Sequence, residues 1–287
     1  MPDVSVNGLR FHTQTLGDPT APPVVMIHGM VTGNAASWYF GLAPVVARTH
    51  SVFVYDQRGH GRSQRPPTGY SLGQLAGDLD GLTGGLGPAA VVGHSFGGVV
   101  GLRHAIDHPD RVTALVLVDS FVPSGPVGDR ADRSGGAGDV RGVEETVAVA
   151  VGGPDRWSTS GSTPPSPEDA TAGGPRRPAR RPARRRRRPS AEEALLAETT
   201  LLDDLRSTTL DPTDLASLSL PVLCAVGADS PFRGDVEALV ELLPAEHTQV
   251  RVLPGGHALH LDSPDQLADL VTDFLDAATC GGGGSGG

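Results

Sequence analysis

Four short apolar runs constrain the fold more than anything else in the chain: PPVVMIHG (22–29), AAVVGHS (89–95), ALVLVD (114–119) and PVLCAVG (221–227). Each is too short for an independent helix, is built mainly from aliphatic and β-branched residues, and lacks polar–apolar alternation. Strands read this way when both faces of a parallel sheet are covered. SVFVYD (51–56) is a fifth candidate, and TQVRVLPGG (248–256), with partial alternation, suits a sheet edge. VSVNGLRFHTQT (4–15) alternates around Asn7-Gly8, a strong hairpin signal.

Helical patterns fall between the strands. Residues 71–83 open on Ser71 as N-cap and place Leu72, Leu75, Leu79 and Leu82 at helical spacing. Residues 96–107 stop before His108-Pro109, where proline disfavours continuation. Residues 263–278 carry a Ser263 cap, Pro264 in the first turn, and Leu267, Leu270, Val271, Phe274 and Leu275 on one face. This alternation predicts an α/β fold with a doubly wound, mostly parallel sheet and an N-terminal antiparallel hairpin.

Composition narrows the function classes. At 287 residues and 38% hydrophobic, the chain can bury one large core or two modest ones. No run approaches the ~18 consecutive apolar residues of a membrane span. The start, MPDVSVNGLRFH, has neither a basic nor an apolar leader segment. Two cysteines, Cys224 and Cys280, provide no disulfide framework. The expected compartment is the cytoplasm. The net charge of −10 argues against a general nucleic-acid binder. All 23 basic residues are arginine, and nine lie between Arg176 and Arg188; the other 14, set against 33 acids, leave −19 for the rest. That Arg strip has charge but no interleaved aromatics or recognisable nucleic-acid fold, so no specific nucleic-acid partner is expected.

In open α/β sheets, sites form at the carboxyl ends of strands. Those ends here carry His28-Gly29-Met30, Asp56, His94-Ser95-Phe96, Asp119, Asp229 and the loop with His257. A single G-x-S-x-G match carries little weight in a chain with 39 glycines. In order along the chain, however, HGM, DQRGHGRS, GHSFGG, GADS and GGHALHLDSPDQL resemble the α/β-hydrolase superfamily over roughly residues 1–122 and 191–278.

The resemblance implies a serine nucleophile at Ser95, between a buried strand and a helix start, with Gly93 and Gly97 giving the backbone room to turn. It implies His257 as the base, with His260 as the alternative, and Asp229 as the acid, with Asp119, one strand earlier, as the alternative. The oxyanion hole falls to the main-chain N–H groups of Met30 and Phe96. His28, His60 and His94 adjoin glycines in tight turns and read as structural. Asp262 reads as a cap of the last helix, and Asp56 as part of the turn after its strand. Trp38, Tyr39, Phe40 and Phe121 lie near the expected mouth, where packing and substrate contact are both open readings.

The function implied is a serine hydrolase acting on a small-molecule ester, thioester or lactone, without metal or organic cofactor. Epoxide hydrolases and haloalkane dehalogenases of this fold use an aspartate nucleophile, which Ser95 argues against. Cofactor-free perhydrolysis of the haloperoxidase type and carbon–carbon bond hydrolysis use the same three side chains. A hydrolase-like receptor with little turnover is a different class.

Relatives place a helical cap between the strand ending at Asp119 and the one starting at Pro221. Residues 123–190 of this chain instead include PRRPARRPARRRRRPS, which cannot bury enough surface to offset its ordering entropy. The expected division is a core in two parts, 1–122 and 191–278, separated by a disordered 123–190 insert or frameshifted cap, with a flexible Gly/Ser tail at 279–287. One helix is expected around Ala191–Leu205.

Overall fold

A computed structural model describes residues 3–122 and 189–281. The expectations for the Arg-rich insert and the last Gly/Ser residues lie outside the described residues. Eight strands form one sheet: β1 (Asp3–Val6), β2 (Leu9–Leu16), β3 (Pro23–Ile27), β4 (Ser51–Tyr55), β5 (Ala89–His94), β6 (Val112–Val118), β7 (Val222–Gly227) and β8 (Thr248–Leu253). Their order is β1-β2-β4-β3-β5-β6-β7-β8. The β1–β2 and β2–β4 pairs are antiparallel and the other five parallel. Asn7 (φ 51°) and Gly8 (φ 76°) both take the left-handed conformation that a two-residue hairpin turn requires.

The missing alternation in the apolar runs has a direct cause. Successive residues of each central strand point into two different cores. Val25 and Ile27 of β3, Val91 of β5, and Leu115 and Leu117 of β6 face one cluster, which includes Leu75, Leu79, Val99 and Leu102 of the helices Leu72–Thr83 and Phe96–Asp107. Val24, Met26, Val92, Val116 and Val118 face the other, which includes Trp38, Leu42, Leu267, Val271 and Phe274 of the helices Ala36–Tyr39, Leu42–Val46 and Pro264–Gly281. Among the described residues β8 pairs only with β7, and it leaves Val250 and Val252 exposed, as an edge strand does.

Three local expectations differ from what is observed. The helix expected around Ala191–Leu205 is two helices, Ala191–Glu198 and Leu201–Arg206. Two hydroxyls divide them: Thr199 Oγ1 donates back to Leu195 O at 2.6 Å, and Thr200 Oγ1 binds Asp204 Oδ2 at 2.7 Å. Ser71 and Ser263 stand at helix starts without capping through their hydroxyls. Ser71 Oγ donates to Gln74 Oε1, and Ser263 Oγ to Pro254 O. Asp262 does not cap the last helix; its Oδ2 accepts from Gly256 N at 2.7 Å and pins the loop before His257.

Strand order reverses at β3, which lies between β4 and β5. The crevice beyond the carboxyl ends of β3 and β5 is therefore the place where such a fold offers a site. Met30 follows β3 and Ser95 follows β5.

Candidate active site

Ser95 caps the helix Phe96–Asp107 with φ 52° and ψ −127°, a conformation that costs a non-glycine residue about 1–3 kcal/mol. The surroundings impose it: Ser95 N donates to Val118 O at 2.9 Å, tying the turn to β6. The flanking glycines contribute space rather than dihedral freedom, because neither Gly93 nor Gly97 has a positive φ. A Cβ on Gly93 would collide with the Gly98 backbone, and one on Gly97 would lie 2.5 Å from the carbonyl oxygens of Ile27 and His28. Strand and helix can approach this closely only without side chains.

His257 lies in the loop after β8 and joins two residues. Its Nε2 is 3.0 Å from Ser95 Oγ, and its Nδ1 is 2.7 Å from Asp119 Oδ2. Phe121 and Phe232 stack on each other at 4.4 Å and set ring edges against the imidazole, at 6.0 and 4.8 Å. Both phenylalanines are buried. His94 Nε2 donates to His257 O at 2.8 Å, which fixes the loop from the other side. Burial and the neighbouring His257 hold His94 well below the ordinary imidazole range, so it is a neutral support. His260 stands near Trp38 and His94, with ring centroids at 5.5 and 4.8 Å. Burial lowers its pKa to about 4. Among the described residues it bonds neither Ser95 nor Asp119.

The carboxylate on the imidazole is that of Asp119, the alternative acid; among the described residues Asp229, the expected acid, makes no contact with it. Asp119 is fully buried with φ 47°, and its oxygens accept from Gly227 N (2.9 Å), Ser230 Oγ (2.5 Å) and His257. Those three donors offset the cost of burying the charge. Asp229 is exposed, and among the described residues it bonds the site's loops only through its backbone, N to Gly255 O at 2.9 Å. The cause is the strand end: Asp119 follows β6 at once, whereas Ala228 intervenes after β7 and turns the next side chain outward. Ser230 was missed on sequence, although its place directly after an acid in GADS was the available signal.

The loop after β3 lies against the turn holding Ser95. A Cβ on Gly29 would be 3.4 Å from Ser95 Cβ and 2.9 Å from His94 Nδ1. Two neutral imidazoles hold this loop. His28 Nδ1 donates to Gly29 O (2.8 Å) while its Nε2 accepts from Gln57 N (3.0 Å). His60 Nδ1 donates to Arg58 O (2.9 Å) while its Nε2 accepts from Val31 N (2.9 Å). Burial lowers their pKa values to about 4 and about 3. Asp56 Oδ1 accepts from Ala35 N at 2.7 Å and braces the same segment from the strand next door. Met30 and Phe96 are both buried, and among the described residues neither main-chain N–H donates a hydrogen bond. Of the aromatic residues near the mouth, Trp38 is buried and Phe40 is 82% exposed.

A sheet with this order and a serine–histidine–aspartate contact chain at its switch point define a class of protein, and comparison with known families agrees. The chain belongs to the α/β hydrolase fold family, whose model matches residues 22–264. Among curated relatives, the putative carbamate hydrolase RutD of Caulobacter vibrioides is 39% identical over 123 residues, 41% of this chain and 44% of that protein. The RutD of Cronobacter sakazakii is 38% identical over 107 residues, 36% of this chain and 39% of that protein. The chain thus aligns with less than half the length of these relatives. Among solved structures, Est816, an N-acyl homoserine lactone degrading enzyme, superposes with a TM-score of 0.65 at 21% identity, covering 95% of this chain and 100% of that one. The enol-lactonase of Burkholderia xenovorans gives 0.65 at 18%, covering 96% and 100%. No helix among the described residues is long and apolar enough to cross a membrane.

Proposed function

We propose that this chain is a serine hydrolase that cleaves a small ester, thioester or lactone through an acyl-enzyme. The observation that carries this reading is the continuous contact from Ser95 Oγ through both nitrogens of His257 to Asp119. In this reading His257 holds its proton on Nδ1, donated to Asp119, and accepts the Ser95 hydroxyl proton at Nε2 as Oγ attacks the carbonyl carbon. Met30 and Phe96 N–H groups stabilise the oxyanion, each donor contributing about 3–4 kcal/mol in the transition state. Protonated His257 then passes its proton to the leaving group, and the acyl-enzyme forms as the carbon–leaving group bond breaks. Water, deprotonated by His257, releases the acid and restores Ser95. Asp119 stabilises the imidazolium of both steps, and Ser230 and Gly227 keep its carboxylate in place.

The relatives named carbamate hydrolase make a carbamate or amide the second substrate class to assay. The test is a p-nitrophenyl ester chain-length series, with lactones and carbamates alongside, on the wild type and Ser95→Ala, together with a fluorophosphonate label. Labelling at Ser95 with fast turnover on short chains supports an esterase. Labelling with almost no turnover on any substrate supports a receptor. Absence of labelling at Ser95 contradicts both.

A further inference from the structure

The C-terminal end of the helix Phe96–Asp107 carries a second cluster, at the opposite end from Ser95. His104 is in its last turn, His108 follows four residues on, and Asp80 comes from the neighbouring helix Leu72–Thr83. One ring nitrogen of each histidine and one carboxylate oxygen of Asp80 lie within 4.8 Å of one another. The two rings are 5.1 Å apart, and His108 Nε2 is 3.9 Å from Asp80 Oδ1.

The polar groups here are poorly served. His104 is 2% exposed, and its Nδ1 is buried with no hydrogen-bond partner. Asp80 Oδ1 is likewise buried and receives no hydrogen bond, being ion-paired to Arg111 Nη1 at 2.9 Å, while Arg111 Nη2 is buried and unpartnered. Two unpartnered atoms beside one ion pair are unusual, because native interiors pair their polar atoms.

We propose that His104, His108 and Asp80 form a binding site for a divalent transition-metal ion of the Zn²⁺ class, clamping the helix Phe96–Asp107 to the helix Leu72–Thr83. Imidazole and carboxylate donors suit Zn²⁺, Co²⁺, Ni²⁺ or Cu²⁺ rather than Mg²⁺. Donor atoms around tetrahedral Zn²⁺ are about 3.3 Å apart, given bonds of ~2.0–2.1 Å. His108 and Asp80 side chains are 39% and 33% exposed, so rotation of these two closes the gap while buried His104 stays fixed. Solvent completes the coordination. Binding displaces Arg111 from Asp80, which then neutralises the metal instead of the guanidinium. The site is structural and independent of the hydrolase reading.

The test uses the full chain stripped with chelator, titrated with Zn²⁺ by calorimetry and with Co²⁺ by visible absorption. One equivalent of Zn²⁺ should bind with a micromolar dissociation constant and Co²⁺ should develop ligand-field bands. Both should weaken at least ~10-fold in His108→Ala and in Asp80→Asn, and persist in His260→Ala, which disrupts the histidine group near Ser95. His108 is partly exposed, so that variant should keep the wild-type circular dichroism spectrum, and a buried-core failure of His104→Ala does not affect the outcome. Arg111→Gln should tighten binding by removing a competing cation. Wild-type Zn²⁺ affinity in His108→Ala, or no binding to the wild type below about 100 µM, overturns the proposal. Failure of Arg111→Gln to tighten binding contradicts Asp80 as a ligand.

Discussion

The loops after β6 and β7 begin alike. Each leaves a strand whose last five residues are buried and carries Asp-Ser, as Asp119-Ser120 and Asp229-Ser230. Only the first delivers its carboxylate to His257, at 2.7 Å; the second delivers its serine, at 2.5 Å from the same carboxylate. The difference comes from one residue of spacing and one dihedral. Asp119 follows its strand directly, buried at φ 47°, whereas Ala228 separates Asp229 from its strand and leaves it exposed. A carboxylate becomes useful to an imidazole by being buried with enough donors, and three converge on Asp119. The two loops thus meet at one carboxylate, which follows β6 and is held by Ser230 from the loop after β7.

Substitutions can break this comparison at graded levels. Ser95→Ala removes the group both loops serve, and kcat on any accepted ester should fall by up to about a million-fold. Asp119→Asn keeps the shape but offers His257 the wrong hydrogen-bond partner, and kcat should fall by on the order of 10⁴. A pH melt extends the comparison to the loop after β3, which rests on neutral His28 and His60. Their folded pKa values, about 4 and about 3, lie below the unfolded ~6.5. The unfolded chain therefore binds more protons, so stability is full above pH ~6.5 and declines as pH falls toward 4 and then 3. The expected loss at full extent is about 3 kcal/mol for His28 and about 5 kcal/mol for His60, read as a falling Tm; a Tm flat from pH 7 to 5 would contradict the neutral clamps. Ser230→Ala removes one of three donors to Asp119 and should lower kcat about tenfold. Asp229→Asn should change kcat less than about twofold.

Much of this architecture could be read from residues alone, for physical reasons. Val24 to Ile27 and Val91-Val92 lack alternation because two cores cover the sheet, and that pattern is visible in any strand of this kind. Asn7-Gly8 marks the hairpin because few other pairs accept two positive φ angles. Ser95 and His257, which the structure brings to 3.0 Å of each other, stood out through local glycines. The choice between Asp119 and Asp229 as the carboxylate on His257 did not, because it depends on side-chain direction at a strand end, which sequence spacing does not encode. The Thr199-Thr200 break was hidden by helix-period leucines on both sides, and hydroxyl bonds to the backbone decided it. The bracing of the loops by Ser230 and Gln57 links residues 111 and 29 positions apart, which no local pattern pairs.

Because the natural substrate bears on every kcat comparison, the most direct measurement avoids substrates altogether. Intact-mass kinetics of fluorophosphonate labelling, with peptide mapping of the modified serine, should be run on the wild type, Asp119→Asn and Asp229→Asn. The wild type and Asp229→Asn should label at Ser95 at the same rate, and Asp119→Asn should label slower by a factor of about 10² or more. Slow labelling of Asp229→Asn beside wild-type labelling of Asp119→Asn would return the acid to the loop after β7. Labelling of a serine other than Ser95 would contradict the account at its centre.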